Sequence, residues 1–149
     1  MADSRVQHEV EDWIVRNALP AQFGQSFSKR RWGLEWGGFF EFDGVSEDGT
    51  IVACVSTSVG ATASGKNPSG KILKIKADTL YLMAARADMR LLVFTDSSMM
   101  NRIQREQDAG RFPGSVELLL VHLPDDLEAK LNLARAAASR EVTPGSAPL

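Results

Sequence analysis

The residues best suited to chemistry lie in the middle of the chain. Asp43 closes the apolar run FEFD, and the next run, IVACVSTS at 51–58, carries no charge. Beyond it, Lys66, Lys71, Lys74 and Lys76 fall between positions 57 and 76 with no acid among them, and Asp78 follows. Carboxylates suit a hard cation such as Mg²⁺, and a lysine beside them would meet the charge of a phosphate. On a helical wheel Lys71, Lys74, Asp78 and Tyr81 share one narrow face. Ile72, Leu73, Ile75, Ala77, Leu80, Leu82 and Met83 fill most of the remainder, a pattern that predicts a largely buried helix with a polar stripe. Lys74 and Asp78, at i,i+4, equally make an ordinary helix ion pair worth a few tenths of a kcal/mol. Both readings stand.

Other constellations offer less. GATASGKN at 60–67 nearly matches the phosphate loop G-x-x-x-x-G-K-[ST] through Gly60, Gly65 and Lys66. Asn67 replaces the hydroxyl that would reach Mg²⁺, and Pro68 and Gly70 stand where the loop's helix should be under way, so nucleotide binding is the least favoured alternative. Asp96 ends LLVFTD much as a metal-holding acid ends a strand in nucleotide-binding proteins. His8 and His122 lack ligand-spaced neighbours for zinc, and Cys54 in mid-strand reads as a small core residue. Ser56, Thr57 and Ser58 have no general base nearby in sequence. Lys29, Arg30 and Arg31 form a basic knot before Trp32, and Trp32 and Trp36 could stack on bases or sit in the core. Arg30, Arg31, Lys66 and Lys71 are the candidate nucleic-acid contacts. With a net charge of −2, such binding is expected to be weak and salt-sensitive.

The elements that must position these residues follow from periodicity. A helix is expected over about 4–19, with Val6, Val10, Trp13, Ile14 and Asn17 on one face and Pro20 and Gly24 ending it. WGLEWGGFFEFDGV at 32–45 reads as extended, and Gly37-Gly38 marks a bulge or a turn within it. SEDG at 46–49 is a hairpin turn by composition, and 51–58 is a strand buried on both faces. A helix at 71–87, a strand at 91–96, a helix at 97–107, a strand at 116–123 and a helix from Pro124 to about Arg140 complete the order. The order α-β-β-β-α-β-α-β-α implies an α/β fold with a mixed central sheet flanked by helices. In the last helix Leu127, Leu131, Ala134 and Ala138 make one stripe, which could close the chain's own core or form a homodimer or other protein contact.

This order and the segment FEFDGVSEDGTIVACVSTS resemble the core of the PD-(D/E)XK (restriction endonuclease-like) superfamily. There a helix, a three-strand meander, a crossover helix and a further strand hold an Asp at the second strand and an acid, a spacer and a Lys on the third. The resemblance covers about residues 4–123. It implies metal ligation by Asp43 with Glu9 or Glu11 from the first helix, and weakly bound Mg²⁺ or Mn²⁺ if the site is catalytic. The third strand departs from the pattern: Ala53-Cys54-Val55-Ser56 has neither acid nor Lys. Some members move these groups to the following helix, which would make Asp43, Lys74 and Asp78 the catalytic set. The expectation is therefore a non-catalytic nucleic-acid-binding or assembly module, with a divergent metal-dependent nuclease as the alternative. One domain is expected over 1–140, with a disordered tail at 141–149. One cysteine, no signal-peptide pattern and no membrane-length apolar run lead to the expectation of a cytoplasmic protein.

Overall fold

The computed structural model describes residues 4–60 and 68–142. Along the chain come α1 (Arg5–Trp13), a π-helical turn (Ile14–Ala18), α2 (Leu19–Phe23), β1 (Phe27–Gly33), β2 (Phe39–Ser46), β3 (Ile51–Ser56), α3 (Ser69–Ala84), β4 (Met89–Phe94), α4 (Ser97–Asp108), β5 (Val116–Leu120) and α5 (Asp125–Val142). The strands form one mixed sheet in the order β1-β2-β3-β4-β5. Short turns make β1, β2 and β3 antiparallel neighbours, whereas α3 and α4 return the chain so that β3, β4 and β5 run parallel. The expected α/β class and mixed sheet are present, and β3 lies at the centre.

The period-two alternation of β3 feeds two separate cores. Val52 and Cys54 join Phe42, Leu92 and Phe94 beneath Ile75 and Leu82 of α3 and Met99 and Ile103 of α4. Ile51, Ala53 and Val55 join Leu91 and Val93 on the opposite side, against Val10, Ile14 and Leu19 of the N-terminal helical segment and Leu127 and Leu131 of α5. Helices therefore sandwich the sheet. The α5 stripe begins by burying Leu127 and Leu131 in the chain's own core, which leaves those two residues unavailable to a homodimer.

Three local expectations need correction. The first helix does not end at Pro20 but runs on to Phe23. The π turn ends with Leu19 N–H donating to Ile14 O, so Pro20, which has no N–H to give, falls inside α2's first turn without a lost bond. Of the two readings of the glycine pair in the aromatic run, the turn is the one present: Leu34 N–H donates to Gly38 O at 2.8 Å, and Gly37 takes a positive φ of 101°. β1 consequently starts at Phe27 and contains Lys29, Arg30 and Arg31. Finally, α3 is not largely buried. Leu73 is 66 % and Leu80 56 % exposed, because only the side bearing Ile75, Thr79 and Leu82 meets the sheet.

Candidate active site

The backbone ladder between β2 and β3 covers Gly44–Ala53 and Val45–Val52 and then stops. Beyond it, Val55 N–H donates to Asp43 Oδ2 at 2.7 Å, so a side chain satisfies the β3 backbone where the strands part. Burial pushes the Asp43 carboxyl above its ordinary value; the Val55 N–H opposes this, and the charge of Asp78 adds to it.

Three elements aim further charges at this fork. From α1 comes Glu11, whose carboxyl is raised first by burial and then by the charge of Asp43. His8 Nδ1 lies 3.6 Å from Glu11 Oε2. From α3 come Lys74 and Asp78, with Nζ to Oδ2 at 3.2 Å. Burial alone would lower the Lys74 ammonium, but Asp78, by its charge and hydrogen bond, and then Asp43 outweigh it and hold its pKa above the usual lysine value. Cys54 lies among the same groups, and burial, with Asp78 and Asp43, drives its thiol well up, so it stays protonated. Among the described residues, no group of three or more His, Cys, Asp or Glu is arranged to hold a metal ion.

Two cavities meet at Glu11. One, of about 620 Å³, is lined by His8, Glu11, Lys29 and Asp43 among others. The other, of about 140 Å³, lies between the end of β3 and α3 and is lined by Glu11, Thr57, Ser58, Lys71, Lys74 and Asp78. The sequence-derived set of Asp43, Glu11, Lys74 and Asp78 is thus brought together, with Lys71 at one margin.

The other expected residues lie elsewhere. Glu9 lines the larger cavity but pairs with Lys130 of α5 at 3.3 Å. Arg30 lies over the Trp32 ring at 5.0 Å and Arg31 over Phe39 at 5.5 Å, each engaged on the edge strand. Lys66 and the remainder of the phosphate-loop-like segment lie outside the described residues, as does the C-terminal tail from 143 onward. Asp96 serves as the N-cap of α4, accepting from Met99 N–H and Gly60 N–H, each at 2.9 Å, and from the Ser98 hydroxyl. Lys29 stands outside the sequence-derived set. It reaches the larger cavity beside a register shift between Ser28 and Arg30, which no composition signal in the KRR run announces.

No protein-family model matches the chain, and neither does any curated protein or solved structure. Function therefore rests on the chemistry of the site.

Proposed function

We propose that the chain is a divergent, metal-dependent nucleic-acid phosphodiesterase of restriction endonuclease-like architecture, whose lysine and second acid come from α3 instead of β3. One observation carries the reading: Glu11, Lys74 and Asp78 line one cavity at the β2/β3 fork, beside Val55, whose N–H Asp43 holds. Two of these acids, Glu11 and Asp43, are raised by burial and by a neighbouring negative charge, a pattern that clusters at functional sites. A surface that only gripped phosphates would gain nothing from such acids, since they repel the ligand. A divalent cation resolves both conflicts.

The donor set fits Mg²⁺ or Mn²⁺. Mg²⁺ takes one or two protein carboxylates and completes its shell with water and substrate phosphate oxygens, so a site without a three-residue ligand cluster remains suitable. Asp43 and Asp78 would hold the ion, with Glu11 beside them, and the bound ion supplies positive charge at the phosphate and a more acidic water. Lys74 stays protonated at neutral pH, so its role is to neutralise and orient a phosphate oxygen or the attacking water, not to remove a proton. Glu11, raised by burial, is the carboxylate best suited to accept that proton. The α-β-β-β-α-β order with a central β3 supports the architectural half of the proposal.

A second reading, a binding or assembly module without cleavage, draws on the bare β3 sequence and on the ion pair that already engages Lys74 and Asp78. A cleavage assay separates the two. The purified chain is incubated with single- and double-stranded DNA and RNA, with Mg²⁺, Mn²⁺ or chelator. The nuclease reading expects metal-dependent cutting that is lost in both Asp43→Asn and Lys74→Ala. Binding without cleavage of any substrate by either metal would reject it in favour of the module.

A further inference from the structure

A second charged concavity lies between α3 and α4, away from the fork. It encloses about 250 Å³ between Ile72 and Ile103, and its rim is Arg102, Arg105, Glu106 and Arg111. An open neighbour of about 500 Å³ shares Arg102 and Arg105 and continues past Gln104 to Ser98 and Gly60. Glu106 is the one acid among the described residues lining either hollow. It is already taken: Arg111 Nε lies 2.6 Å from its Oε2, and that hydrogen bond holds its carboxyl below the usual value, with Lys76 adding to the effect. With Arg111 spent on Glu106, the surface keeps an excess of two guanidinium charges, Arg102 and Arg105, with Lys76 close by.

The spacing is as telling as the charge. Arg102 and Arg105 are i,i+3 neighbours on one face of α4, and both hollows open beside them. A small anion would need one hollow. Two hollows joined through shared arginines suit a ligand that carries negative charge at intervals along its length. Guanidinium forks match phosphate oxygens in planar, two-point contact, and match carboxylates in the same way, so an acidic polypeptide is the competitor that the test must include.

We propose that this arginine groove binds the phosphate backbone of a nucleic-acid strand, as a surface separate from the fork. The assignment needs no chemistry at Asp43 and stands even if the fork proves inert. It also places the strand next to the site's supports: Arg102 Nε donates to Gly60 O at 2.7 Å, and residues 57 and 58, just before Gly60, line the smaller cavity at the fork.

The test is fluorescence anisotropy of a short labelled duplex DNA and of its single strand, at low salt and without divalent metal. Arg105→Glu is the chosen variant because Arg105 is exposed, and thermal melting verifies that it folds. Should it not fold, Arg105→Ala and Lys76→Glu are read in its place. The expected result is roughly tenfold weaker binding or more, and a log–log salt slope on duplex shallower by about 0.9 for each phosphate no longer neutralised. The proposal is overturned if the parent chain binds neither DNA, or if Arg105→Glu binds like the parent. Tighter binding of polyglutamate than of DNA would also overturn it, pointing to an acidic protein partner.

Discussion

Val55 N–H and Asp43 Oδ2, 2.7 Å apart, tie β3 to β2 through a side chain just where their backbone pairing ends. One carboxylate oxygen of Asp43 is therefore held in place by the sheet, and the second is left for the cleft. Geometry and charge are separable here. Asp43→Ala should orphan the Val55 N–H and cost about 1–3 kcal/mol in a urea titration. Asp43→Asn keeps an oxygen acceptor and buries no charge, so it should be at least as stable as the parent at neutral pH.

The same residues set a pH dependence whose sign is fixed. Burial raises Asp43 and Glu11 above their unfolded values of 3.8 and 4.5, so the folded chain holds their protons more tightly. Their contribution favours folding at low pH and is lost as pH rises through the folded pKa values. The stability advantage of Asp43→Asn over the parent should therefore shrink as pH falls toward the unfolded values. An advantage that grows with acidity would contradict the burial of this carboxyl.

Gly60 is buried because α4 begins against it. A Cβ there would stand 2.5 Å from both Met99 N and the Ser98 carbonyl carbon, which are backbone atoms that cannot swing aside. Gly60→Ala should lower stability by about 1–3 kcal/mol, measured by chemical denaturation.

Arg135 of α5 donates through Nη2 to Thr57 O at 2.6 Å and to Thr95 Oγ1 at 2.8 Å, with Nε also on Thr57 O at 3.0 Å. Replacement by Met should cost on the order of 1.5–3 kcal/mol and speed hydrogen exchange around residues 57–60. Arg135→Lys should recover little of this, since one ammonium cannot reproduce the fork of donors.

On the outer face of α3, Leu73 and Leu80 touch little of the core. Converting both to Lys should change stability by no more than about 0.5 kcal/mol in thermal or urea unfolding. A loss of several kcal/mol would mean that this face is packed in solution.

These contrasts mark how far the sequence could be read. IVACVS has no charged residue in six positions, and that is enough to place β3 between two layers. The meander and the crossovers follow from element order, and the i,i+4 pairing of Lys74 with Asp78 from helical spacing, whereas their grouping with Asp43 comes only from the resemblance to the restriction endonuclease-like core. The choice between Glu9 and Glu11 does not, because it depends on Lys130, 121 residues away from Glu9, taking one of the two. Asp96 could have been read as a cap from the Asp-Ser-Ser that opens α4, yet the strand before it suggested metal binding instead. The exposure of Leu73 and Leu80 was illegible for a different reason. A wheel shows which residues share a face of α3, but not how much of its circumference the sheet and α4 can cover.

The strand order has a consequence for how the molecule assembles. Since β1 to β5 lie in space as they lie in the chain, each new strand finds its partner in the one just completed, and no strand must be inserted between two others. Such a sheet can lengthen step by step as the polypeptide leaves the ribosome, with no closure longer than one helical crossover. The exception is the layer that carries Glu11. α1 precedes the sheet in the chain, but it packs beside α5, which follows the sheet, with Lys130 and Glu9 paired between them. The acid of the fork thus belongs to the layer that waits longest for its neighbour, and all five strands must be made before that layer is complete around the fork.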